Sequence, residues 1–188
     1  MSEELNLHRI YRTTQHINVL NTLNDTSRYV LSPYYVCNEM NDAPEHKHLV
    51  MECYDWLAGH MVTAAGKPQD ASYPIWLTPD TGSSYPASDE GAVLTLEIPD
   101  EYVSLISIER WTAIMDYRYL PADEEDAKRH AKLLADYGTS DAKSYMSQFY
   151  PDVKREILES WPRVFETEGL ANSQMYGLVW ELKKEWLR

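Results

Sequence analysis

The sequence has few of the residues on which several common functional sites depend. Its 188 residues include only two cysteines and seven glycines. Cys37 and Cys53 do not form a CxxC pair, so neither a redox motif nor a cysteine-based zinc site is expected. The glycines form no phosphate-binding loop of the Walker or Rossmann type, and there is no GxSxG motif. These absences argue against ATP-driven chemistry, a Rossmann-type dinucleotide fold and serine hydrolysis.

Basic residues are also scarce, and long apolar runs are missing. Lys and Arg number 17 against 30 Asp and Glu, giving a formal net charge of −13 at pH 7. Since nucleic-acid binding depends on cations that neutralise phosphates, no direct nucleic-acid binding is expected. No apolar stretch approaches the ~20 residues of a membrane span, and the first residues are acidic rather than signal-like. We therefore predict a cytoplasmic protein that does not bind membranes.

The negative charge allows two interpretations. One is a soluble cytosolic protein from a generally acidic proteome. The other is an acidic surface that binds a basic protein, with the cluster Asp123, Glu124, Glu125 and Asp126 as its clearest segment. The cluster also has a local explanation, because carboxylates stabilise the N-terminus of a helix.

Hydrophobic periodicity predicts a mixture of strands and helices. Apolar residues alternate or cluster in short runs in strands, and they recur at steps of three and four residues in helices. Thr14 is expected to cap the first helix. We predict strands near residues 7–13, 29–36, 73–77, 92–98, 102–106 and 176–182, and helices near 15–24, 47–65, 107–115, 122–137, 141–150 and 152–161.

The order of these elements is not a regular alternation of strand and helix. A doubly wound parallel sheet is therefore not expected. We predict an α+β fold, a single domain over residues 1–188, with helices packed on a mainly antiparallel sheet that is either continuous or split.

Histidines and acidic residues occur together between residues 46 and 60, but not at the spacing of a metal site. His46 and His48 are two residues apart, and Glu52, Asp55 and His60 follow without an HExxH pattern. Two histidines at positions i and i+2 point to different faces of a helix. No metal site is predicted.

Several short motifs rich in aromatic residues recur along the chain. They are Tyr54-Asp55-Trp56, Tyr73-Pro74-Ile75-Trp76, Leu96-Glu97-Ile98-Pro99-Asp100, Ser107-Ile108-Glu109-Arg110-Trp111, Tyr119-Leu120-Pro121 and, last, Trp180-Glu181-Leu182. In these motifs the sequence resembles, over nearly the whole chain, the bacterial and phage family called domain of unknown function 3841. That family's name implies no activity.

A second, weaker resemblance is to ADP-ribosyltransferase-like domains. It implies a split antiparallel sheet, NAD as a ligand, and three groups of site residues. Arg12 or Thr14 would bind the nicotinamide ribose, Tyr73 with Trp76 would stack on the ligand, and Glu181 would polarise the ribose. This chain has Tyr176 and Gly177 where that pattern carries a glutamine.

Glu181 is the predicted catalytic residue. If residues 176–182 form a strand, Trp180 and Leu182 would enter the core and Glu181 would face the other way. It would then face a cleft walled by Tyr73 or Trp76, with Arg12 as a basic neighbour. The alternative is a surface carboxylate paired with Lys183.

Two classes of function follow from the sequence. The first is a cytosolic protein similar to ADP-ribosyltransferases that binds NAD or another nucleotide, with or without catalysis. The second is a non-catalytic acidic protein of a phage or mobile element that binds and inhibits a basic host protein. The two differ in what Glu181 does, since only the first requires its carboxylate at a ligand.

Overall fold

A computed structural model of the chain describes residues 8–38, 44–79 and 90–188. The chain forms two compact units. The first combines Met1–Leu105 with Ala171–Arg188, and the second is Ile106–Leu170. Each is described separately below, and the single-domain organisation stays a prediction.

The strands build one large sheet and one small one. The five-stranded sheet has the order β4-β1-β3-β6-β5, and β2 and β7 form a two-stranded sheet. β1 pairs antiparallel with β3 and β4, and β3 pairs antiparallel with β6. The strands are β1 His8–His16, β2 Arg28–Tyr29, β3 Ile75–Pro79, β4 Gly91–Pro99, β5 Ser104–Ser107, β6 Met175–Val179 and β7 Leu182–Lys183.

Helices complete an α+β fold, which confirms the predicted class. Short 3-10 turns lie at Asp100–Tyr102, Trp161–Phe165, Asn172–Gln174 and Lys184–Trp186. The α-helices of the described residues are α1 Ile17–Thr26, α2 Pro33–Asn38, α3 Pro44–His60, α4 Ile108–Met115, α5 Glu124–Tyr137, α6 Asp141–Met146 and α7 Pro151–Ser160.

The core of the first unit lies on one face of the large sheet. Side chains alternate between the two faces of a strand, and the core takes alternate residues of β3 and β4 together with Tyr11 of β1. α1 and the segment after β7 cover it. The core residues are Tyr11, Val19, Leu23, Ile75, Leu77, Leu94, Leu96, Ile98, Val179, Leu182 and Trp186.

In the large sheet, β3 pairs with each of its two neighbours over only part of their length. β3 pairs with β1 only through Tyr11↔Pro79 and Arg12↔Thr78. It pairs with β6 through its first three residues, from Ile75↔Val179 to Leu77↔Gly177. Pro79 has no N–H to extend either ladder. Among the described residues, the first part of β1 and the first part of β6 therefore flank a gap that β3 does not fill.

Several predicted boundaries were wrong. β1 extends to His16, so Thr14 lies in a strand and cannot cap α1; instead the His16 Nδ1 accepts a hydrogen bond from the Asn18 N–H at 3.1 Å. Residues 29–36 contain the last residue of β2 and the start of α2 rather than one strand. Pro33 explains the difference, because proline suits the first turn of a helix and lacks the N–H of a ladder.

The second unit is mainly helical, and two of its tryptophans are buried in an aromatic core. Trp161 is fully buried and Trp111 is 6% exposed. The Trp161 indole N–H donates to the Arg118 carbonyl at 3.0 Å, and its ring stacks on Tyr145. α5 begins at the predicted place, where the Asp123 carboxylate accepts from the Asp126 N–H at 2.8 Å.

A buried histidine that the sequence did not suggest connects three helices of this unit. His130 of α5 hydrogen-bonds through Nε2 to Asp141 Oδ1 of α6 at 2.7 Å. Its Nδ1 lies 3.5 Å from Glu156 Oε2 of α7. The Tyr119 ring stacks on the imidazole with centroids 3.9 Å apart. His130 is 4% exposed, so this buried cluster connects α5, α6 and α7.

A membrane span is not found in the described part of the chain. None of its helices combines the length and the apolar character that crossing a bilayer requires.

The burial of Trp161 predicts a large effect on stability. We expect Trp161→Ala to lower the free energy of unfolding by about 3–5 kcal/mol, because removing a buried indole leaves a cavity. Phe149→Ala is the matched control, since Phe149 is 88% exposed. Urea unfolding followed by circular dichroism measures both. Equal midpoints for the two variants would show that Trp161 is not a core residue.

Candidate functional site

Glu181 lies between β6 and β7, in neither strand. Glu181 is 8% exposed, Trp180 is 3% exposed and Leu182 is fully buried. The strand predicted over residues 176–182 thus ends at Val179. The period of two from which the orientation of Glu181 was predicted therefore does not continue through this segment.

Two cations engage the Glu181 carboxylate. The Arg28 Nε–H donates to Oε2, and the Lys183 ammonium lies 3.6 Å from Oε1. Arg28 also binds Asp70 with two hydrogen bonds, of 2.7 and 2.9 Å. These contacts raise the pKa of the Arg28 guanidinium and lower that of the Asp70 carboxyl. Arg28 is thus a basic neighbour of Glu181, a position that the sequence-based prediction gave to Arg12.

The Lys183 ammonium is held from a second side by aromatic residues. It donates to the Tyr102 hydroxyl at 3.2 Å and lies 4.3 Å from the centre of that ring. Partial burial lowers the pKa of Lys183, but the Tyr102 hydrogen bond and the charge of Glu181 outweigh it, so the net shift is upward. The ion pair between Glu181 and Lys183, which was the alternative interpretation of the sequence, is therefore present. The carboxylate is buried, however, and does not lie on the surface.

The cavity beside Glu181 is small. Its volume is about 40 Å³. Ligand pockets are usually on the order of 300–1,000 Å³, so it does not accommodate a nucleotide. None of Arg12, Thr14, Tyr73 and Trp76 is among its described lining residues, which are Thr63, Ala65, Gly66, Pro68, Tyr102, Val179, Trp180, Glu181 and Trp186.

Arg12 and Thr14 lie on β1. Tyr11 and Thr13, which alternate with them along the strand, are buried. By strand alternation, Arg12 and Thr14 occupy the opposite face of the sheet. In register, Arg12 faces Thr78 of β3 and Thr95 of β4. The Glu181 cavity is instead lined by Val179 and Trp186, which belong to the same core as Tyr11. Arg12 and Glu181 therefore do not converge.

Tyr73 and Trp76 contact α3. The Tyr73 hydroxyl donates to Asp55 Oδ1 at 2.5 Å. The Trp76 ring packs edge-on against Tyr54, with centroids 6.4 Å apart, and against Tyr176 at 6.3 Å. These two predicted residues thus share one neighbourhood, which is separate from the Glu181 cavity.

A larger cleft of about 490 Å³ lies beside the end of β3. β1 supplies one wall and the start of β6 supplies the other, with Pro79 at the point where β3 stops. This volume is within the usual range of ligand pockets. The described lining residues are Arg9, Ile10, Tyr11, Pro79, Leu105, Asn172, Met175 and Gly177.

The cleft combines a cationic group with apolar walls. The Arg9 Nε lies 3.4 Å from Asp100 Oδ1, and its side chain is 49% exposed. Ile10 is 44% exposed and Tyr11 is 3% exposed. Burial raises the pKa of the Tyr11 phenol, which the neighbouring Arg9 partly offsets.

Gly177 allows the two walls to approach each other. A Cβ at this position would be 3.2 Å from Tyr11 Cε1 and Val103 Cγ1, and 3.3 Å from Leu77 Cβ. A glycine inside a strand often marks such a close approach, so the signal was present in the sequence. Nothing in the sequence singled out Arg9, Met175 or Arg28, because each needs a partner distant along the chain.

Two residues of the acidic cluster at the start of α5 accept hydrogen bonds from nearby residues of the same unit. Asp126 accepts hydrogen bonds from the Tyr119 hydroxyl, the Ala122 N–H and Arg129. The bond from Ala122, followed by that from Tyr119, lowers the pKa of Asp126 to about 2. Two of the four carboxylates, Asp123 and Asp126, thus stabilise the helix start.

Within the described ranges, no group of three or more His, Cys, Asp or Glu side chains is placed to hold a metal ion. The His48 Nδ1 lies 3.4 Å from Glu52 Oε1, an exposed pair one helical turn apart.

A family model described as a domain of unknown function, DUF3841, matches residues 10–188. The chain belongs to this family. The resemblance expected from the aromatic motifs is thereby confirmed. Neither curated proteins nor solved structures gave a match.

The ion pairs of Glu181 predict a structural role in this DUF3841 member. We expect Glu181→Gln to lower the free energy of unfolding by about 1–3 kcal/mol, because Arg28 and Lys183 lose a buried anionic partner. Glu185→Gln is the control, since Glu185 is exposed. Chemical unfolding measures both. Unchanged stability of Glu181→Gln combined with lost ligand binding would instead favour a direct role at a ligand.

Proposed function

We propose that the protein binds a small molecule of the nucleotide class, such as NAD, in the cleft between β1 and β6. The observation that carries the proposal is the cleft itself, about 490 Å³ in volume with a guanidinium among its lining groups. A pocket of this size with mostly apolar walls and a few convergent polar groups is typical of small-molecule sites.

Each part of such a ligand has a matching group in the cleft. The Arg9 guanidinium offers several N–H donors in one plane, which suits phosphate oxygens. Ile10, Leu105 and Met175 provide apolar surface for a flat ring, and a methionine sulfur interacts favourably with aromatic rings. The Asn172 amide can both donate and accept hydrogen bonds. These groups support recognition of a molecule that has both a ring and an anionic group.

The geometry supports binding more than ADP-ribosyl transfer. Cleavage of a glycosidic bond requires a carboxylate fixed near the charge that develops on the sugar. The described residues that line the cleft include no Asp or Glu. Glu181 lines the smaller cavity and is bound by Arg28. The proposed function is therefore nucleotide binding, with no chemical step assigned to Glu181.

Two arginines on β1 provide a direct test. We expect NAD and AMP to bind the wild-type protein, and Arg9→Gln to weaken AMP binding about tenfold through the loss of a charged hydrogen bond. Arg12→Gln is the matched variant, because Arg12 is on the same strand but not among the described lining residues. Isothermal titration calorimetry measures the affinities. If Arg12→Gln abolishes binding and Arg9→Gln does not, the site predicted from the sequence is the correct one.

A second candidate function is binding of a basic protein. Its support is the net charge of −13. Reversing Asp123 or Asp126 would disrupt the start of α5, so the test uses the exposed Glu124 and Glu125. We expect a complex with a basic protein that dissociates near 1 M salt, where screening acts within about 3 Å, and that is weakened in Glu124→Lys/Glu125→Lys. Binding that ignores both salt and charge reversal would contradict this function.

A further inference from the structure

We infer that Gly177 determines which ring the cleft accepts, because the missing side chain at this position lets the Tyr11 ring form the floor of the cleft. The inference rests on the proposed function and makes it more specific. The two residues select a ligand by the size of its base, and this selection does not involve the phosphate. Both line the cleft, Tyr11 from β1 and Gly177 from β6.

The backbone of β6 does not itself require a glycine at position 177. The glycines with a positive φ are Gly66, Gly138 and Gly169, and Gly177 is not among them. A glycine inside a strand lowers stability, since it adds freedom to the unfolded chain and buries no side chain. The other residues of β6 are buried or half-buried. The reason for this glycine is therefore the space that a side chain would fill.

Three elements of the first unit converge on that space. A Cβ at position 177 would lie 3.2 Å from Tyr11 Cε1, 3.2 Å from Val103 Cγ1 and 3.3 Å from Leu77 Cβ. These residues belong to β1, to the segment before β5 and to β3. Favourable contacts between carbon atoms are about 3.5–4.0 Å long, so all three atoms are too close for an added methyl group.

The Tyr11 ring connects the two walls of the cleft. Tyr11 pairs with Pro79 and Gly177 pairs with Leu77, so the two residues lie on opposite sides of β3. The edge of the ring nevertheless meets β6 at Gly177, which means that the ring lies across β3. Tyr11 is 3% exposed although it lines the cleft. The ring therefore forms a packed floor between the walls.

A side chain at position 177 would raise this floor. Leu77 Cβ is attached to a strand that pairs on both sides, and the β-branched Val103 has few allowed rotamers. The Tyr11 ring borders the open space of the cleft, so it is the group that moves, and it moves into the cleft. Because close-packed groups tolerate little overlap, even a small shift disfavours a large base that fills the cleft.

The experiment compares three nucleotides that carry the same phosphate on bases of different size: UMP with one ring, AMP with two and etheno-AMP with three. We expect Gly177→Ala to lower the affinity for AMP relative to UMP about tenfold, as overpacking does in other close-packed sites. Gly59→Ala is the matched control, because a Cβ at that position meets nothing within 4 Å. Isothermal titration calorimetry measures the affinities.

A second variant tests the floor from the other side. Tyr11→Leu shortens the side chain and deepens the cleft, so it should raise the affinity for etheno-AMP relative to AMP. The two substitutions thus shift the preference for ring size in opposite directions. If Gly177→Ala does not fold, Tyr11→Leu decides alone.

The outcomes separate this inference from the proposed function. Equal losses for UMP and AMP in Gly177→Ala, or an unchanged preference in Tyr11→Leu, would overturn selection by ring size and leave nucleotide binding intact. Failure of the wild type to bind any of the three nucleotides would overturn the proposed function. Nitration of Tyr11, followed by mass spectrometry, then decides whether Gly177 shapes the cleft: faster nitration in Gly177→Ala supports the displaced ring, and an unchanged rate refutes it.

Discussion

The pairing of β1 with its two neighbours is the constraint on which the first unit depends. β1 pairs with β4 along all nine of its residues but with β3 through only two. The full ladder with β4 fixes which side chains of both strands enter the core. The short ladder with β3 leaves the first part of β1 without a partner on that side among the described residues. Stability and an open cleft thus arise from opposite edges of one strand.

Electrostatics serves different purposes in different parts of the molecule. Around Glu181, Arg28 connects a buried carboxylate to the exposed Asp70 and so joins the segment after β6 to β2. At the start of α5, carboxylates accept backbone hydrogen bonds and stabilise the helix. At the cleft, Arg9 is only partly neutralised by Asp100. The high negative charge of the chain is thus a poor guide to any one site, because many carboxylates already have local partners.

The fold class and most elements could be predicted from the sequence because they depend on local periodicity. α5 is an example: Asp123 caps it, apolar residues recur along it, and Gly138 ends it with a φ of 62°. The segment of residues 29–36 was mispredicted because its β-branched and aromatic residues favour a strand, while Pro33 starts a helix. Local propensity could not decide between the two.

The candidate site was harder to predict, and Glu181 shows why. Its motif, Trp180-Glu181-Leu182, was found, but its partner Arg28 is far away in sequence and belongs to no motif. Arg9 and Arg12 illustrate the same difficulty on one strand. Both are basic residues of β1, and only the register with β3 shows that, among the described residues, the strand lacks a β3 partner beside Arg9 but has one at Arg12. The pairing register of the strands cannot be predicted from composition or from the spacing of residues.

The first unit is built from two separate segments of the chain, and this affects the order of folding during synthesis. The second unit, Ile106–Leu170, is continuous, whereas the first also requires Ala171–Arg188. β3 gains its β6 neighbour, and β2 gains β7, only after the whole second unit has left the ribosome. Long-range strand pairing of this kind is slow because loop closure precedes any gain in contacts. The helical unit can therefore fold first. Until residues 171–188 have been synthesised, the edge of β3 lacks its β6 neighbour and is exposed to aggregation.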